Sequence, residues 1–201
     1  MRACPLRSLL VCAIALLVLG GCAPQMIRQN ANFSAQRPAS ISNVVPPTGW
    51  VMLGAGNGVT IFTRDGTPVQ SIAVVQRSHD AFFRQTKRKP AANALPQEVA
   101  EAVIAETRTF PGRAALIVKS TEPFMLGGQP AFRVHMEHRN ERGAPYESLL
   151  TGFSQEDEIV LVAYQALARN FFKRDLAAYE ALLKSLTINA SASDPPSPKA
   201  P

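Results

Sequence analysis

The stretch EIVLVAYQALARNFFKRDLAAYEALLKSLTI, Glu158 to Ile188, decides the fold. Glu158 to Leu167 is almost wholly apolar, which predicts a central strand covered on both faces. From about Asn170 to Leu186 the period changes. Phe172, Leu176, Tyr179, Leu183 and Leu186 step by four, three, four and three residues and share one helical stripe. Arg169, Lys173, Arg174, Asp175, Glu180 and Lys184 fall mostly off it. A buried strand running into an amphipathic helix calls for a sheet with that helix packed on it.

Upstream, strand signals outnumber helix signals. Trp50 to Leu53 and Val59 to Thr63 are short β-prone runs separated by a loop carrying Gly54, Gly56 and Gly58. Asp65-Gly66 then marks a turn into Val69 to Gln76, completing a meander. HDAFFRQTKRKPAANALPQ has the composition of a loop. A helix is predicted from about Gln97 to Thr107, with Pro96 at its first position, Val99 and Val103 buried, and Glu98, Glu101 and Glu106 on its wet side. Pro111-Gly112 stops it. Ala115 to Val118 continues through Phe124 to Leu126 as strand. Phe132 to Arg139 alternates as a half-buried strand, and Tyr146 to Phe153 returns beside it. The expected class is α+β: one domain, with an antiparallel sheet of about six to seven strands packed by two main helices.

This order of elements resembles the PsbP-like α/β sandwich. That fold is shared by photosystem II PsbP subunits, the Ran-binding Mog protein and bacterial envelope lipoproteins such as DcrB. In Glu158 to Ile188, a strand ending in Tyr164 and Ala166, a helix starting at Phe172 and a terminal Lys-Ser-Leu look like the family's C-terminal signature. GGQPAFRV, Gly127 to Val134, is similar to its glycine turn into a long strand. The resemblance implies the fold and, because known members are mostly binding or assembly factors, a non-enzymatic module. The calcium, manganese and chloride roles of photosystem members rest on residues that find no match here.

The N-terminus speaks to location. In MRACPLRSLLVCAIALLVLGGCAP, Arg2 and Arg7 precede an uncharged run, Leu9 to Leu19, too short to span a bilayer comfortably, which predicts an export signal. Leu19-Gly20-Gly21-Cys22 resembles the bacterial lipoprotein box, which implies cleavage before Cys22 and lipidation of its thiol. Cys4 and Cys12 would leave with the signal, so Cys22 would be the only thiol and no intramolecular disulfide would form. Three acyl chains exceed the two-signal threshold for stable anchoring. Ala23 after the Cys implies an outer-membrane destination by the same resemblance.

The expected layout is a lipoprotein signal peptide over 1–21, a lipid anchor and flexible tether over 22–44, the α/β domain over 45–188 and a disordered tail over 189–201. A flexible tether of that length reaches on the order of 25 Å. Removing Arg2 and Arg7 from 21 basic residues leaves 19 against 15 acidic ones, a mild surplus that permits contact with anionic lipid.

Motifs for catalysis are sparse. The glycine loop reads G-x-G-x-G and is followed by β-branched residues, so it lacks the helix N-terminus that a dinucleotide fingerprint needs. His135-Met136-Glu137-His138 lies on a strand, where residues three apart face opposite ways; His135 and Glu137 share a face, with Glu147 on the neighbouring strand. That pattern suits cross-strand ion pairs better than a metal. No G-x-S-x-G elbow occurs, and no sequence signal pairs His79, His135 or His138 as a base with a candidate nucleophilic serine. The basic run Arg84, Lys87, Arg88 and Lys89, preceded by Phe82 and Phe83, is the candidate anionic-ligand or partner patch.

The expectation is therefore a non-enzymatic binding or scaffolding module, lipid-anchored through Cys22 in the bacterial envelope and facing the periplasm. No cofactor and no metal is expected. Its partners would be the membrane and an envelope protein or anionic lipid, with nucleic acid excluded by compartment. One alternative is an apolar or anionic envelope ligand held between the sheet and the final helix, and another is an enzyme with a dispersed site.

Overall fold

The computed structural model describes residues 41–113 and 115–188. Cys22, the expected export signal, most of the expected tether and the 189–201 segment lie outside these residues. A short strand β1 (Ile41–Asn43) pairs with the final strand, β9 (Thr187–Ile188), within the described residues.

Seven strands form the main sheet: β2 (Val51–Gly56), β3 (Val59–Thr63), β4 (Gln70–Ser78), β5 (Ile117–Leu126), β6 (Gln129–Arg139), β7 (Pro145–Gln155) and β8 (Glu158–Leu167). Their spatial order is β2-β3-β4-β8-β7-β6-β5, and every pairing is antiparallel. β8 lies at the centre, as its unbroken apolar run requires. Two meanders, β2-β3-β4 and β5-β6-β7-β8, are thus joined where β4 pairs with β8. The connection between them carries α1 (His79–Phe82) and α2 (Pro96–Arg108), and α3 (Phe171–Ser185) follows β8.

The long helices cover opposite faces. Phe172, Tyr179, Leu182 and Leu183 of α3 pack with Phe62, Ile72, Phe153, Val162 and Tyr164 of the sheet. Val99, Ala100, Val103 and Ile104 of α2 pack with Phe132, Val134, Met136, Leu150 and Leu161 on the other side. Tyr164, fully buried, stacks on Phe172 and Tyr179 at 5.2 and 5.4 Å and donates its hydroxyl to the Phe172 carbonyl at 2.8 Å. The aromatic pair of the final helix is therefore core.

Several local expectations need correction. β2 continues through Gly56, and the chain reverses at Asn57-Gly58 alone, both with positive φ, 52° and 75°. That is an Asn-Gly two-residue hairpin turn; Gly54, at φ 53°, lies where the register shifts. The stretch after β4 opens with α1, whose first turn is capped by the Ser78 hydroxyl accepting from the Ala81 N–H at 3.4 Å. Glu106 is not on a wet face but 1% exposed. Asp175 is also buried, accepting from Gln70 at 3.2 Å and from Arg174 Nε at 3.0 Å.

Candidate functional site

α2 packs on β5, β6 and β7 and leaves the β3–β4 side of its face uncovered. There a groove of about 700 Å³ opens over β3, β4 and β8, well within the range of small-ligand sites. Strand register lays out its floor in rows. Ser71, Gln165 and Ser148 are directly opposite one another across β4, β8 and β7 and make a polar row. The next row, two residues on, is Ile61, Ala73, Ala163 and Leu150; the third is Val59, Val75 and Leu161. Arg77 closes the series. With side chains on one face spaced about 6.7 Å apart along a strand, the floor from Ser71 to Arg77 is about 20 Å long. The paired alanines give it a depression.

The walls come from the two ends of the β4–β5 connection. Phe82, Arg84 and Gln85 come from its start, and Glu106, Thr107, Phe110 and Arg113 from its end. Glu106 clamps these walls together: its carboxylate accepts from the N–H groups of Gln85 and Thr86 at 3.0 and 2.9 Å and from the Thr86 hydroxyl at 2.8 Å. Burial alone would raise this carboxyl, but the hydrogen bonds from Thr86 and Gln85 outweigh it and hold it below its ordinary value. Of the four residues in the basic patch, Arg84 lines the groove. Lys87, Arg88 and Lys89 are exposed beyond its lining; Lys89 pairs with Asp80 at 2.5 Å. The sequence patch and the groove thus share one residue.

The polar end holds features that sequence reasoning missed. Arg113 is half-buried and donates to Gln165 Oε1. No ion pair among the described residues includes it. The Ser148 hydroxyl, on a residue 1% exposed, has no hydrogen-bond partner among the described residues, and neither does Nδ1 of the buried His138. His138 stacks on Tyr146 at 5.5 Å; burial, and then the Arg113 charge, push its imidazole down to about 4. Unfolded, this group binds a proton below its ordinary 6.5, so it contributes stability above that pH that is lost as pH falls from 6.5 to about 4. His138→Gln is expected to flatten the urea midpoint between those limits, and an unchanged acid limb would refute the assignment.

No family model and no curated protein matches this chain in sequence. Solved structures do match in shape. LpqN of Mycobacterium tuberculosis, described as involved in cell envelope biogenesis, superposes with a TM-score of 0.53 at 14% identity, covering 77% of this chain and 87% of its own. The cyanobacterial PsbP of Synechocystis gives 0.51 at 13% identity, covering 85% and 99%. PA94 of Pseudomonas aeruginosa, a protein of unknown function, gives 0.51 at 10% identity, covering 69% and 88%. The fold is the PsbP-like α/β sandwich. Identities this low carry the fold alone.

On this PsbP-like sheet the remaining histidines are accounted for by packing. His135 and His138 face opposite sides: His135 bonds Glu147 at 3.0 Å and stacks on Phe172 at 5.5 Å under α3. Glu137 pairs with Lys119 at 3.1 Å, and Arg133 with Glu180 at 3.0 Å. No group of three metal-ligating side chains occurs among the described residues. His79 does meet a serine: its Nε2 is 2.8 Å from Ser154 Oγ, and its Nδ1 is 3.5 Å from Asp157. A catalytic triad needs a buried acid bonded to the imidazole, whereas Asp157 is 72% exposed and too far for a hydrogen bond. His79 itself is 3% exposed, its backbone N–H donates to the Asp157 carbonyl at 2.8 Å, and none of the three residues lines the groove. This contact ties α1 to the β7–β8 turn.

Proposed function

We propose that the chain is a non-enzymatic, lipid-anchored binding module of the bacterial envelope, held at the outer membrane by Cys22 and facing the periplasm. Its binding site is the groove beside α2, and its ligand is an apolar envelope molecule with an anionic group. The observation that carries the ligand reading is the pairing of an apolar floor with a half-buried Arg113 that has no carboxylate partner among the described residues. Arg77 and Arg84 add positive charge to the same lining. The site differs in place from the sequence expectation, since the helix that closes on the sheet after β8 leaves its face filled by Phe172, Tyr179 and Leu182.

The anchor rests on Leu19-Gly20-Gly21-Cys22 and on the apolar run before it. No helix among the described residues is long and apolar enough to cross a membrane, which agrees with attachment by lipid but does not require it. LpqN, described as involved in cell envelope biogenesis, shares the fold. Mass spectrometry of the full chain from a bacterial envelope tests both parts. The expected spectrum shows a mature N-terminus at an acylated Cys22 and, under native conditions, a co-purified anionic amphiphile. An unmodified N-terminus elsewhere would overturn the anchor, and native protein free of any amphiphile would count against the ligand.

A further inference from the structure

The polar end of the groove selects more narrowly than for anions in general, a selectivity that rests on the groove being the ligand site. Arg113, Gln165 and Ser148 come together because β4, β8 and β7 are in register there and because the turn after α2 brings Arg113 over the same row. The guanidinium is a planar fork with several N–H donors, of which Gln165 accepts one. Directly opposite Gln165 on β7, the Ser148 hydroxyl is buried and without a partner among the described residues. Groups of this kind cost free energy when desolvated and left unmatched. A carboxylate meets the need: it accepts two parallel bonds from the guanidinium and a third from a serine hydroxyl.

The charge balance favours a single negative charge. Arg113 is the cation bonded to the polar row, Arg77 lies three rows further along β4, and the Glu106 carboxylate in the same lining is already taken up by the Gln85 and Thr86 donors. A dianion would leave one charge uncompensated beside an apolar floor. His138 adds no charge of its own near neutral pH, because burial and the neighbouring Arg113 hold it neutral. Next to the seat, the Ala73–Ala163 depression and the Val59–Val75–Leu161 row offer an apolar track, with the exposed ring of Phe110 on the wall.

We propose that Arg113, Gln165 and Ser148 form the seat for the carboxylate of a single-chain amphiphile whose apolar tail lies along the alanine and valine rows of the groove. Headgroup and tail then bind by separate means. Phosphate-headed amphiphiles and free carboxylates without a tail are the two nearest competitors, the first for charge and the second for lack of apolar contact.

The test is displacement of a fluorescent fatty acid from the purified full chain by dodecanoate, dodecanol, dodecyl phosphate or acetate. Dodecanoate is expected to compete at least about tenfold more strongly than dodecanol, with dodecyl phosphate weaker than dodecanoate and acetate ineffective. R113Q should erase the gap between dodecanoate and dodecanol while leaving dodecanol unchanged, and R113K should restore part of it. S148A should narrow the gap by a smaller factor. Thermal melts of R113Q and R113K check that each variant folds. Equal competition by dodecanoate and dodecanol, unchanged in R113Q, overturns the carboxylate seat and leaves the groove as an apolar site. Tighter competition by dodecyl phosphate assigns the seat to another headgroup and also overturns it. Failure of the fluorescent fatty acid to bind removes the groove reading and the seat with it.

Discussion

Glu106→Ala is expected to cost about 3 kcal/mol of stability and to release the segment that carries the basic patch. Glu106 is 1% exposed, and its carboxylate accepts from the backbone N–H groups of Gln85 and Thr86 and from the Thr86 hydroxyl. Hydrogen bonds to a charged group contribute roughly 1.5–3 kcal/mol each, but the freed donors regain water when the segment opens, so the net loss falls well below the sum. Urea unfolding gives the loss, and limited trypsin digestion gives its location, at Arg84, Lys87, Arg88 and Lys89. Glu106→Gln keeps one acceptor and is expected to lose about half as much. Because the folded carboxyl is held below its ordinary 4.5, its contribution is complete above that pH and is lost as pH falls through the lower value. Both variants should therefore lack this part of the acid limb. A change under about 0.5 kcal/mol, with no new cleavage, would show that Glu106 does not clamp the wall.

Gly152→Ala is expected to be as damaging, for a steric reason. A Cβ at this position of β7 would lie 2.3 Å from the Val160 carbonyl oxygen and 3.1 Å from the Leu161 Cα. Both are backbone atoms of the central strand, so no side-chain rotation relieves the clash, and β7 and β8 must separate. The expected loss is about 3 kcal/mol or more, at the upper end for overpacking. Leu161 belongs to the groove floor, so the groove should change shape as well. Gly56→Ala is the matched control: nothing lies within 4 Å of its added Cβ, and its φ is not positive. Equal melting temperatures for the two alanine variants would contradict the packing described for β7.

The fold was legible wherever one residue pattern had one physical solution. The apolar run of β8 could only be a central strand, and the four-and-three stepping of Phe172 to Leu186 could only be a helix lying on it. The α2 helix was equally clear from Pro96 and the Val99–Val103 spacing. Glu106 was misread because a glutamate on a helix is normally solvated, and nothing local announces that Gln85 and Thr86 will bring donors to it. The Asn57-Gly58 turn was available in the sequence and was masked by the neighbouring glycines.

The groove was not legible. It exists because β4 and β8, distant in the chain, pair in a register that aligns Ser71 with Gln165 and Ala73 with Ala163, and because α2 stops short of that edge. Arg113 follows a Pro-Gly helix stop and belongs to no sequence motif; its significance comes from partial burial, which no local pattern encodes.

Amide chemical-shift mapping of the full chain during titration with dodecanoate tests the ligand site most directly. Perturbations should concentrate at Ser71, Ala73, Arg113, Ala163 and Gln165, with the amides of Tyr179 and Leu182 in α3 unmoved. Shifts centred on α3 and the face beneath it, or no saturable shifts at all, would contradict a ligand site beside α2.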